Sequence, residues 1–140
     1  MSTYPMSIRF EESVVERLRL WARSQTTTTS GLVQDLVDEG LRMRETPGIV
    51  FRPGPSGRRA CLAGGPDVWE VMAAVKQTDA PSGDKVACVA EELGLPASSV
   101  DLALTYYSRY PAEIDMEIAD NERAAEAAFH AWQVRQSALS

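Results

Sequence analysis

The chain has 140 residues, enough for one domain of ordinary size or two small ones. Its formal net charge of −6 is unusual for a protein that must approach phosphates. Its two cysteines, Cys61 and Cys88, rule out a disulfide framework, show no metal-ligand spacing, and are expected to be reduced, buried and inert. No apolar run is long enough to span a bilayer and no secretory series opens the chain, so a soluble cytoplasmic protein without a membrane partner is expected.

In chain order, Met6, Ile8 and Phe10 alternate with Ser7 and Arg9, the period of a strand with one apolar face. A lone strand cannot satisfy its own backbone groups, so the simplest partner is the same strand of a second copy across a two-fold axis. A two-stranded ribbon of this kind fits the major groove of DNA. Val14, Val15, Leu18, Trp21 and Ala22 then recur at helical spacing, and Glu11 and Glu12 lie where the helix dipole favours negative charge. The run Gln25-Thr26-Thr27-Thr28-Thr29-Ser30 predicts a turn that ends in a helix cap. A second helix follows, with Leu32, Val33, Leu36, Val37, Gly40 and Leu41 on one face. Neither helix buries much alone, but doubled in a dimer the pair would form a four-helix core.

The stretch SIRFEESVVERLRLWARSQTTTTSGLVQDLVDEGLRMR resembles the ribbon-helix-helix family of CopG-, Arc- and MetJ-like DNA-binding proteins. The resemblance implies an intertwined homodimer bound to double-stranded operator DNA. It implies that Ser7 and Arg9 read base edges, with Pro5 at the preceding outward position, and that Thr28 and Thr29 offer amides to a phosphate. Pro5 departs from the family, which usually has a second donor on the strand, so base reading would rest heavily on Arg9 and its bidentate reach to guanine. A plainer reading makes the segment a dimerisation module with Arg9 as a solvated surface residue.

A boundary is expected at Glu45-Thr46-Pro47-Gly48, giving a first module over 1–46. In the second module, 47–110, Ile49-Val50-Phe51-Arg52 and Arg58-Arg59-Ala60-Cys61-Leu62 flank a Pro-Gly turn and predict a hairpin. Asp67 is placed to cap a helix carrying Val68, Trp69, Val71, Met72 and Val75. A further helix carries Val86, Val89 and Leu93 and stops at Gly94, and the next starts near Ser98, with Asp101 as its capping mate. The final segment, 111–140, opens at Pro111 as a helix carrying Ile114, Ile118, Phe129 and Trp132. Acid concentrates here: Glu113, Asp115, Glu117, Asp120, Glu122 and Glu126 face only Arg123 and Arg135. Such an acidic end suits a basic protein partner or, more simply, a solvated helix face. The fold class is therefore mainly α with short β: a ribbon-helix-helix, a small winged-helix-like domain with helix-turn-helix proportions, and a C-terminal helix.

GIVFRPGPSGRRACLAGGPDVWEVM, followed by LALTYYSRYPAEID, is similar to a small bacterial domain of unknown function (family 433) found in antitoxins of VapB-like type. That similarity implies a cognate toxin as partner, commonly a PIN-like ribonuclease, held by a segment laid across its active site. The last helix is the candidate, with Phe129 and Trp132 as anchors and Arg123 or Arg135 suited to an acidic metal site in the toxin. Phe129 and Trp132 could equally pack on the second module. The helix from Ser98 offers no base-reading side chain before Arg109, so it is assigned to protein contact. Arg58 and Arg59 are the remaining candidates for phosphate contact, or else a charged strand edge that discourages aggregation.

Enzyme chemistry finds no support: His130 stands alone, no serine sits in a nucleophile elbow and no phosphate-binding glycine loop occurs. No catalytic residue, metal site or cofactor is expected. The leading expectation is an antitoxin that neutralises a ribonuclease-type toxin and represses its own operon as a dimer. The alternative is a stand-alone ribbon-helix-helix regulator whose C-terminal domain senses a ligand or oligomerises.

Overall fold

The computed structural model describes residues 2–140, and these divide into two compact units, one ending at Arg44 and the other beginning at Glu45. The protein is mainly helical with one small antiparallel sheet. In the first unit, helix α1 spans Glu12–Ser24 and helix α2 opens at Thr29 and runs to Glu45. Each has an apolar stripe, yet among the described residues of this unit only Ala22 and Leu32 are buried. Residues 6–10, predicted as a strand, form none within the single chain. They have no ladder partner there, and Met6, Ile8 and Phe10 remain 80 %, 58 % and 44 % exposed.

The second unit has the ordinary interior that the first lacks. Strands β1 (Ile49–Gly54) and β2 (Gly57–Leu62) form the predicted hairpin, with Phe51 opposite Ala60 and Arg52 opposite Arg59. Its two-residue turn, Pro55-Ser56, closes on Gly57 at φ 124°, a conformation that glycine adopts without strain. Helices α3 (Val68–Gln77), α4 (Lys85–Leu93), α5 (Ala97–Arg109) and α6 (Pro111–Leu139) follow. α3 packs on α4, α5, α6 and β2, so Val68, Val71 and Met72 lie at the centre of the unit. A dozen residues, among them Ile49, Val89, Val100, Tyr106 and Ile114, form one continuous core. Burying a large apolar side chain contributes about 1.5–3 kcal/mol, which separates this unit sharply from the first.

Three local expectations are corrected. Asp67 occupies the N-cap position of α3 but makes no side-chain cap bond, because its carboxylate is taken by Cys61, Trp69 and Arg59. α5 begins at Ala97 after Pro96, whose fixed φ already suits a helix start, so Ser98 lies inside the helix and is no cap. Cys61 is buried but Cys88 is exposed, and both thiols are free. The domain division also shifts. Residues 47–110 and the first turns of the last helix share one core, since Ile114 is fully buried in it, and the unit boundary falls before Glu45.

Candidate nucleic-acid and partner interfaces

Ser7 and Arg9 are exposed on the arm that leads into α1. Pro5, which the sequence places outward beside them, lines a groove of about 570 Å³ with Tyr4, Met6, Val33, Val37 and Leu41, so it faces α2. A second groove of about 410 Å³ runs between α1 and α2 over Val14, Leu18, Trp21, Leu32 and Leu36. Trp21, Leu36, Val37 and Leu41 are each at least half exposed. The first unit therefore shows a continuous apolar surface beside an exposed arginine.

The Thr-rich turn behaves as its composition suggests. Thr28 Oγ1 accepts a hydrogen bond of 3.0 Å from the Gly31 amide, and the Thr28 carbonyl accepts from Leu32, so Thr28 is the working N-cap of α2. Thr29, the first helical residue, is half-buried. The amides at this end point outward along the positive end of the helix dipole, the arrangement that attracts an anion.

In the second unit the basic residues are largely committed. Arg59 Nε lies 3.1 Å from Asp67 Oδ2, with most of its side chain out of solvent, so Arg59 is a structural ion pair and no free phosphate ligand. Arg58 is exposed and donates to the Phe51 carbonyl at 3.2 Å, across the hairpin. Arg52 pins the carbonyls of Leu62 and Gly65, at 2.7 and 3.1 Å. Arg109, the one base-reading side chain on α5, donates to the Glu45 carbonyl at 2.6 Å and to Thr46 Oγ1 at 2.8 Å. The outward hydroxyls of Thr105 and Ser108 turn back to carbonyls of their own helix. Nothing on α5 is left with the reach or donor pattern that reads a base.

Helix α6 is two things in one. Its first turns carry Ile114 into the core, and Glu113 accepts a bond of 2.9 Å from the buried Tyr106 hydroxyl. Every residue from Asn121 to Ser140 is exposed. On that exposed part Phe129 and Trp132 stack, with ring centroids 5.9 Å apart and planes 18° apart, while remaining 58 % and 56 % exposed. They pack on each other and not on the second unit's core. Arg123 is tied to Asp120 of the same helix, and Arg135 is exposed.

No family model, curated protein or solved structure matches the chain. Among the described residues no helix is long and apolar enough to cross a membrane. No cluster of three or more His, Cys, Asp or Glu that could hold a metal ion occurs among them either.

The sequence singles out Asp67 as a cap and Cys61 as a buried thiol, but it carries no signal for the contacts that they, Lys76 and Glu117 make in the second unit. Asp67 accepts from Cys61 Sγ at 3.1 Å and from Trp69 Nε1 at 3.0 Å. Burial first, then the Asp67 hydrogen bond and charge, push the Cys61 thiol up to about 11, so it stays protonated and unreactive. Lys76 pairs with Asp115, to which Tyr107 also donates. Through those bonds Lys76 is held above, and Asp115 below, its usual range. Glu117 is the least comfortable group: burial, followed by repulsion from Glu113, raises it to about 7. Its Oε2 is shielded from solvent and lacks a hydrogen-bond partner.

Proposed function

We propose that this protein is a dimeric DNA-binding antitoxin, which represses its own operon through the first unit and holds a ribonuclease-type toxin with the exposed half of α6. The observation that carries the reading is the first unit's surface. Met6, Ile8 and Phe10 alternate with Ser7 and Arg9 on an unpaired arm, beside helices that bury only Ala22 and Leu32. Pairing two arms across a two-fold axis would satisfy their backbone groups, bury the apolar alternation and leave Ser7 and Arg9 facing outward. The same operation would cover Trp21, Leu36 and Leu41 in a four-helix core.

In that dimer the ribbon enters the major groove, Arg9 bonds guanine O6 and N7, and the start of α2 at Thr28 and Thr29 meets a phosphate. Pro5, at the preceding outward position, adds no donor to the base-reading set. Of the hairpin pair, Arg59 is spent on Asp67, and the exposed Arg58 is engaged on the Phe51 carbonyl. With the second module's resemblance to an antitoxin-associated domain, the stacked and exposed Phe129 and Trp132 support toxin capture by the last helix.

The test is co-expression with the product of the adjacent gene, then pull-down and a mobility shift on the DNA upstream of the operon. A stable complex is expected. Arg9→Ala should weaken DNA binding by about 1–3 kcal/mol, roughly 5- to 150-fold, because a bidentate base contact is lost. Arg9-dependent DNA binding with no protein complex would replace this reading with a stand-alone regulator. DNA binding that survives Arg9→Ala would remove the ribbon from the base-reading role.

A further inference from the structure

The second unit contains a groove of about 520 Å³ bounded by α3, the end of α4 and the middle of α6. Trp69, Leu93 and Ile118 supply its apolar surface, and Glu70, Glu92 and Glu122, one from each helix, supply its charge. No lysine or arginine lines it. We propose that this groove is the docking surface for a cationic amphipathic segment of a protein partner. Lysines or arginines of that segment would sit opposite the three glutamates, with a large apolar side chain between them on Trp69.

Three features select that occupant. The Trp69 indole is fixed, because its Nε1 donates to Asp67 Oδ2 at 3.0 Å, so its ring forms a prepared platform and ordering it on binding costs little. The three carboxylates are exposed, and no lysine or arginine lies among the residues that line the groove with them. Lys76, the cation on α3, is turned to Asp115 and lies over the Tyr107 ring at 5.1 Å from its centroid. A cation entering the groove meets carboxylates that lack a counter-charge in the lining, whereas a nucleic acid or an acidic peptide is rejected. The charge on a larger scale agrees. Residues 1–44 hold six arginines and six acids, so the whole net charge of −6 falls on the second unit and steers basic partners toward it. A dissolved counter-ion would answer the charge alone, and the apolar platform adds the requirement for a side chain. This inference does not depend on the antitoxin reading, because the groove belongs wholly to the second unit and uses none of Arg9, Phe129 and Trp132.

The experiment is an NMR titration of the full chain with a synthetic amphipathic helix of leucine and lysine, and with its leucine–glutamate counterpart. The three indole N–H signals report Trp21, Trp69 and Trp132 separately. Saturable movement of the Trp69 signal with the cationic peptide alone is expected, fading as salt is raised. Glu70→Gln, Glu92→Gln and Glu122→Gln together should weaken binding about tenfold, the product of three exposed pairs each worth a few-fold. Glu91→Gln, Asp101→Asn and Glu126→Gln together remove the same charge outside the groove and should change it less than about twofold. All six positions are exposed, so both triple variants should keep the fold, and circular dichroism checks this. Equal weakening by the two triples would reduce the effect to overall charge and overturn the proposal. Absence of binding, binding of both peptides alike, or movement of Trp132 in place of Trp69 would overturn it as well.

Discussion

At the end of α1 the chain closes a Schellman motif, with the Thr26 amide on the Arg23 carbonyl and the Thr27 amide on the Ala22 carbonyl. The left-handed position falls on Thr26, at φ 53°, where a β-branched side chain is poorly tolerated. The same motif ends α4, and there the position is Gly94 at φ 65°. Thr26→Gly should therefore stabilise the first unit by about 1 kcal/mol: the strain released exceeds the extra backbone entropy that glycine loses on folding. Slower hydrogen exchange at the α1 and α2 amides would show it, and unchanged or faster exchange would mean the turn is not strained. Glu117 gives a pH prediction whose sign follows from its direction of shift. Its value in the fold, about 7, lies above the ordinary 4.5, so the neutral carboxyl favours the fold fully below the ordinary value. That contribution is lost as pH rises toward 7. Glu113, Asp67 and Asp120 oppose its ionisation and Arg59 favours it. Wild type should thus be less stable in urea at pH 8 than at pH 5 through this group. Glu117→Gln should remove that part of the dependence and gain about 1 kcal/mol at pH 8, after allowance for solvent screening of a partly buried group. An unchanged pH profile would show that the groups around Glu117 relax enough to solvate its charge.

Where an element's apolar period is dense, sequence and structure agree. The β1–β2 hairpin, α4 and α5 fall where their repeats place them, because one face of each is dictated by burial, and α1 and α2 do so too although their apolar face stays largely exposed in the single chain. The misplacements have a common cause. Asp67 and Ser98 are good N-caps by residue type, but the partners that decide their roles, Arg59 and Cys61 for the one and the preceding Pro96 for the other, act through tertiary contact or backbone restriction. Asp67 in particular draws on residues six and eight positions away that no local pattern marks. The ion pair that removes Arg59 from the phosphate candidates is illegible for the same reason. In α6 the helical repeat runs past Ile118 to Phe129 and Trp132, so periodicity alone cannot tell where burial stops. Alanine-rich sequence holds the helix by propensity whether or not it is packed. Phe129→Ala with Trp132→Ala should accordingly leave the melting temperature nearly unchanged, within about 0.5 kcal/mol of stability, because both rings are more than half exposed. Under the proposed function, the same pair should abolish capture of the co-expressed partner protein. A large drop in melting temperature would show that the rings pack on the fold, and retained capture would place the toxin contact elsewhere.

At the scale of the molecule, the two units differ in the resource that makes a fold stable on its own. The second has a continuous core and the whole excess of negative charge, whereas the first is electrically balanced and has two buried side chains. A unit that short, leaving Tyr4, Met6, Ile8, Leu20, Trp21, Leu36, Val37 and Leu41 exposed, buries too little to offset the entropy of ordering its helices. Charge balance there matters too, since two copies can approach without the repulsion that would oppose pairing of the second units. Folding of α1 and α2 should thus be coupled to association and depend on protein concentration, while the second unit's transition should not. Sedimentation equilibrium of the full chain should find a dimer. Leu36→Glu, which sets a charge within that apolar surface, should yield a monomer whose α1 and α2 amides exchange freely while those of α3 and α5 stay protected. A wild-type chain that remains monomeric, with α1 and α2 protected at low concentration, would mean that the first unit is stable by itself and that its apolar face is not a dimer surface.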